Sequence, residues 1–154
     1  MYFKACTKDL TGYGGFQFEI GKVYGIKHSD NWHWFHYTKK LKYTLPYYHA
    51  PDTRFLEVKP IGAKYHFATS GINYWTTNKL KIVREIDRAE VYERLLAESC
   101  SFYDLLQLEP PYEVLKRAAP KRLRDWAKAI ICMRSDLTPE QKKCLLSVKH
   151  LHKA

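Results

Sequence analysis

Along the first 86 residues apolar and polar positions alternate in short runs, whereas from Asp87 onward apolar residues recur at three- and four-residue spacing. The first regime predicts strands and the second predicts helices. Tyr2 to Cys6 reads as an opening strand, followed by a glycine-rich loop at Thr11-Gly12-Tyr13-Gly14-Gly15. Phe16-Gln17-Phe18-Glu19-Ile20 alternates with period two, so Phe16, Phe18 and Ile20 are expected on one strand face. Gly21-Lys22 then turns into Val23 to Ile26, giving a candidate hairpin. Arg54 to Lys59 and Lys79 to Ile86 are two further strands, the former ended by Pro60 and the latter with Leu80 and Ile82 inward. Between them, Tyr65 to Asn78 reads as either another hairpin or an ordered loop.

In the back half, Asp87 and Glu90 have the spacing of a capping box opening a helix over about 88 to 98. Pro110-Pro111 interrupts any continuation. Pro120 suits the first turn of another helix, whose apolar stripe is Leu123, Trp126, Ala127, Ile130 and Ile131. Thr138-Pro139-Glu140-Gln141 is a second capping-box start, with Leu145, Leu146 and Val148 facing inward. The expected fold class is α+β: an antiparallel or mixed sheet over residues 1–86, packed against a helical unit over 87–154.

Composition sharpens this division. Residues 1–86 hold 18 of the 23 aromatic side chains and 13 basic against 6 acidic ones, while residues 87–154 hold 13 and 10. The whole chain carries a formal net charge of +10, which favours anionic partners. No run of apolar residues is long enough for a bilayer span, and the opening Met1-Tyr2-Phe3-Lys4 lacks the order of a secretory signal. A cytoplasmic address with no membrane contact is therefore expected; for a viral protein that means host cytoplasm or virion. Cys6, Cys100, Cys132 and Cys144 form no C-x-x-C pattern and are expected to be reduced.

The front-half motifs resemble a family. Lys4-Ala5-Cys6, Lys8-Asp9-Leu10 and Gly15 to Tyr24 are similar to the opening of an uncharacterised N-terminal domain found in phage, bacterial and large-DNA-virus proteins. Phe35-His36-Tyr37, Tyr47-Tyr48, Arg54 to Val58 and Thr77 to Ile82 continue the resemblance over residues 3–86. Trp34 stands where that family favours glycine and Thr38 where it often has cysteine, and the resemblance implies no activity.

Four constellations offer chemistry. Gly15 to Lys22 has the wrong spacing for a phosphate-binding loop, and Val23 replaces its Ser or Thr. His28, Asp30, His33 and His36 are metal-capable residue types within nine positions, but their spacing matches no established site, and no cofactor is expected. A strand through that segment would set His33 beside Phe35 and Tyr37, with Trp32, Trp34 and His36 opposite. His36 with Glu57 is the most arguable catalytic pair, since an ADP-ribosyltransferase-like reaction needs a carboxylate near developing positive charge. The strongest pattern interleaves cations with rings: Lys39, Lys40 and Lys42 with Tyr43 and Tyr48, and in the back half Lys121, Arg124 and Lys128 on one helical side. The leading expectation is a non-enzymatic viral or phage accessory protein binding a macromolecule, either protein or nucleic acid. Sequence-independent single-strand binding and ADP-ribosyl transfer are the alternatives.

Overall fold

The computed structural model describes residues 1–27, 30–69 and 72–147, and the chain divides into two compact units, Met1–Glu98 and Ser99–Ala154. The arrangement is α+β, with antiparallel sheets in the first unit and helices from Arg88 onward.

In the first unit, β1 (Tyr2–Cys6), β4 (Arg54–Pro60), β7 (Lys79–Glu85) and β2 (Val23–Gly25) form one sheet in the order β1-β4-β7-β2. β3 (Phe35–Tyr37), β6 (Ile72–Thr77) and β5 (Lys64–Thr69) form a second in the order β3-β6-β5. The segment left open between hairpin and loop is thus the β5–β6 hairpin. The sheets are stitched together by reciprocal bonds at 2.8 Å between Phe3 and Thr38, and β6 runs into β7 across Asn78 alone. One strand passing between sheets is how a corner is made in packed β architectures. The core enclosed this way includes Cys6, Phe18, Phe35, Tyr37, Leu56, Leu80 and Ile82.

Two strand expectations fail for a local reason. Gly14 and Gly15 take φ of 73° and 77°, turning the chain sharply. Thr11 then bridges Gln17, and the next amides find separate partners: Phe18 N donates to Leu10 O, Glu19 N to the Tyr24 hydroxyl and Gly21 N to Ile82 O. Phe16–Ile20 is therefore no strand; only Phe18 is buried, and Phe16 and Ile20 stay exposed. β2 accordingly pairs with β7 and makes no hairpin with residues 16–20. Pro60 lies within β4 as its last residue.

Helix α1 (Arg88–Ala97) closes the first unit, with Arg94 over the Phe3 ring and Arg88 over Phe55. The expected capping box at its start is absent, because Asp87 makes no capping bond and the Glu90 carboxylate is taken by Arg84 at 2.8 Å and Arg94 at 3.2 Å.

The second unit holds α2 (Phe102–Gln107), α3 (Tyr112–Ala118), α4 (Asp125–Met133) and α5 (Pro139–Leu146). Its core includes Phe102, Leu106, Leu115, Ala127, Ile131 and Leu145. The capping box at Thr138 and Gln141 is present, whereas α2 and α3 were not anticipated. Val148 lies outside the described residues. Among the described residues no helix is long and apolar enough to cross a membrane.

Candidate functional site: a tyrosine-lined cavity beside a ring-covered sheet face

Antiparallel pairing decides which rings of the second sheet meet. His36 lies opposite Thr76, Thr76 opposite Tyr65, and Tyr74 opposite Phe67, so His36, Tyr74, Phe67 and Tyr65 share one face. They form a row: His36 stacks on Tyr74 with centroids 4.7 Å apart, Tyr74 on Phe67 at 5.0 Å, and Phe67 meets Tyr65 at 4.7 Å. Tyr13 extends the row beyond His36, nearly parallel to it at 5.9 Å, and Tyr47 meets Tyr74 edge-on at 6.2 Å. Three of these rings stand well out in solvent, Tyr13 at 68%, Tyr47 at 55% and Tyr65 at 48% exposure.

At the His36 end the row borders a cavity of about 350 Å³ lined by six tyrosines, Tyr13, Tyr37, Tyr43, Tyr47, Tyr48 and Tyr74, and by Lys4 and His36. The segment Leu41–Thr44, a single turn of 3-10 helix, supplies Tyr43. The turn is held by Glu98 at the end of α1, whose carboxylate accepts from Leu41 N at 3.0 Å and Lys42 N at 2.8 Å. No Asp or Glu contributes to the lining.

Lys4 is the unexpected member. Its side chain points to the core face of β1, opposite Leu56, and the residue is 6% exposed. Nζ donates to the His36 carbonyl at 2.9 Å and lies 5.3 Å from the Phe18 ring centre. Burial pulls the ammonium below the ordinary lysine range, with Cys6 nearby acting the other way. Gly12 makes room for this packing: a Cβ there would fall 2.8 Å from Phe18 and 3.5 Å from Lys4 Cε. Burial likewise lowers His36, outweighing the hydrogen bond between its Nε2 and Trp32 O. Burial pushes the Tyr37 phenol up to about 12 and raises Tyr48 and Tyr74.

Of the residues marked by sequence, Tyr43 and Tyr48 line the cavity, and Lys42 Nζ sits 5.5 Å over the Tyr43 ring. Lys40 is exposed just before the turn. Lys39 lies 4.3 Å over Trp75, on the reverse side of β6 from Tyr74. Glu57 does not line the cavity with His36; its carboxylate accepts from Arg84 at 3.3 Å. His33 belongs to a 3-10 turn at Asn31–His33 and not to a strand, so the alternation starts only at Phe35. His28 lies outside the described residues, and among the described ones no three of His, Cys, Asp and Glu, Asp30 included, come together as a metal site. In the second unit, α4 begins at Asp125 with Arg124 as its N-cap, one turn before Lys128, so of the three only Lys121 lies clear of the helix. Arg124 instead covers the Tyr103 ring at 4.9 Å, and Lys128 pairs loosely with Asp125 at 3.8 Å.

Sequence reasoning missed Lys4 and Tyr13. The signal for Lys4 was a charged residue inside an apolar strand, alternating in phase with Tyr2 and Cys6. Tyr13 had only its place in a glycine-rich loop.

No curated protein and no solved structure matches the chain significantly. A family model described as a domain of unknown function, DUF7666, matches residues 1–94, which takes in all of the sheets and most of α1. The chain therefore belongs to the DUF7666 family of domains of unknown function.

Proposed function

We propose that this chain is a non-enzymatic binding protein whose first unit holds single-stranded nucleic acid, with bases stacked on the ring-covered sheet face. The observation that carries the reading is the row from Tyr13 through His36, Tyr74 and Phe67 to Tyr65. Within the row His36, Tyr74 and Phe67 cover one another's flat sides, so the exposed rings at its two ends, Tyr13 and Tyr65, are the ones that offer unpaired bases a flat partner, worth about 1–3 kcal/mol per base. Electrostatics favour the same ligand: residues 31–51 and 58–84 carry lysines and arginine but no carboxylate side chain. Lys40 and Lys42, at the cavity turn, are the cations assigned to phosphates. The resemblance of the opening motifs to a domain of phage and large-DNA-virus proteins supports an accessory role in such a setting.

Fluorescence anisotropy with a labelled thymidylate decamer tests this. Affinity is expected to fall linearly with salt on a log–log scale, by roughly 0.7 per phosphate contact. Lys40→Glu with Lys42→Glu should weaken binding of every sequence and flatten that slope. Absence of saturable binding at low salt, or a salt-insensitive complex with a protein and none with the decamer, would overturn the reading in favour of a protein-binding face.

A further inference from the structure

The floor of the cavity is built by two sheets together. Phe3 and Thr38 stand opposite one another across the bridge between β1 and the end of β3, so Phe3 and Ala5 share a face with Thr38, His36 and Tyr74. Ala5, the smallest of these side chains, leaves the space, and the turn at residues 41–44 and the loop carrying Tyr13 wall it with rings. The polar groups of the floor and turn are committed elsewhere: Thr38 donates to Lys40 O, Thr44 to Leu41 O, and His36 Nε2 meets Trp32 O. Apart from its phenol groups, the cavity thus offers flat apolar surface and little that would hold water in place. At about 350 Å³ it lies at the small end of the range for ligand pockets, roughly 300–1,000 Å³. The charge around it has one sign. No Asp or Glu lines it, residues 31–51 carry no carboxylate side chain, and Lys42 Nζ stands 5.5 Å from the centre of the Tyr43 ring in its wall. A fitting ligand is therefore a flat ring with a negative charge at one end. An aromatic side chain of a protein partner supplies the ring but no fixed anion, whereas a nucleotide carries both in one unit.

We propose that the cavity takes a single nucleotide, its base among the tyrosines and its phosphate at Lys42. This rests on the strand reading above for the source of that nucleotide, one unit of the bound strand turned out of the row. A free mononucleotide offers the same chemistry, and the experiment separates the two. Flat contact without a fixed set of hydrogen bonds accepts any base.

Amide chemical shifts of the full chain are followed during titration with thymidine 5′-monophosphate, thymidine and deoxyribose 5-phosphate. The mononucleotide is expected to saturate one site and to bind about tenfold tighter than either fragment, the size of one stacked base or one charge-assisted contact. Lys42→Gln should bring it to the level of thymidine. Ala5→Leu fills the cavity without removing a ring; it should weaken the mononucleotide and the thymidylate decamer about tenfold each, with the melting temperature unchanged or higher. Should leucine overpack the site, Lys42→Gln, at a half-exposed residue, still carries the test. Saturation by the mononucleotide without decamer binding assigns the cavity to a free nucleotide and ends the strand reading. Decamer binding that a folded Ala5→Leu leaves unchanged, or fragments that bind as well as the mononucleotide, overturns the cavity assignment and leaves stacking on the exposed rings standing. If neither mononucleotide nor decamer binds, both fall.

Discussion

Replacing Glu98 by alanine tests whether the end of α1 builds the cavity. A carboxylate at a helix C-terminus opposes the helix dipole, so its position needs another source of stability. The two amides it receives, from Leu41 at 3.0 Å and Lys42 at 2.8 Å, provide that source. Each hydrogen bond to a charged acceptor is worth about 1.5–3 kcal/mol, and the side chain is only half-buried, so water can replace part of what is lost. The expected cost of Glu98→Ala is about 2–4 kcal/mol, and of Glu98→Gln, which keeps one acceptor oxygen, about 1–2 kcal/mol. Urea unfolding followed by circular dichroism gives the stabilities, and the decamer assay gives the coupling to the site. Since Leu41–Thr44 carries Tyr43 into the cavity, the alanine variant should also bind more weakly under conditions where it remains folded. The reasoning fails if Glu98→Ala costs under about 0.5 kcal/mol, the level of an ordinary surface change. It fails equally if alanine and glutamine are indistinguishable.

Gly12→Ala should cost about 1–3 kcal/mol in the same unfolding assay, because its new methyl would meet the buried Phe18 ring at 2.8 Å. The Glu85 carboxyl is pulled below its usual range first by its hydrogen bond to Arg54, so its contribution is complete above the ordinary carboxylate pKa of about 4.3 and is lost as the pH falls through the lower folded value. Glu85→Gln should therefore flatten stability against pH in the acid limb and leave the neutral-to-alkaline slope unchanged. Tyr65→Ser, at an exposed ring, should change stability by less than about 1 kcal/mol yet weaken decamer binding by the value of one stacked base, about 1–3 kcal/mol; unchanged affinity would remove Tyr65 from the platform.

What the sequence revealed, and what it hid, follows from the range of the interactions. β1, β4, β7, α1 and the Thr138 cap rest on local alternation, spacing and capping chemistry, and all were legible. Phe16–Ile20 had the right alternation, but a strand needs a neighbour, and after the turn at Gly14-Gly15 the Phe18 and Glu19 amides go to Leu10 and Tyr24 instead. The Asp87–Glu90 box had the right spacing, and two arginines, one on β7 and one a turn later on α1, competed successfully for Glu90. α2 and α3 are too short for periodicity to declare them. For the site, the interleaving of cations and rings pointed to the stretch of chain whose Tyr43 and Tyr48 line the cavity. It could not tell Lys39, folded onto the reverse side of β6, from Lys42, because a strand's two faces separate only once its partners are known.

Two partition rules are broken in this unit, in opposite directions. Aromatic side chains that would ordinarily fill a core stand in solvent at Tyr13 and Tyr47, while Lys4, which would ordinarily stand in solvent, is buried on the core face of β1. Either departure alone has a structural explanation: scattered exposed rings are common, and a lysine stem can pack as hydrocarbon. Their coincidence in one unit does not, because burying Lys4 costs stability that the exposed rings do nothing to restore while the protein is alone. A flat ligand covering the exposed rings removes apolar surface from water, a gain available only in a complex. Natural sequences tend to concentrate such local inconsistencies where they act on something else.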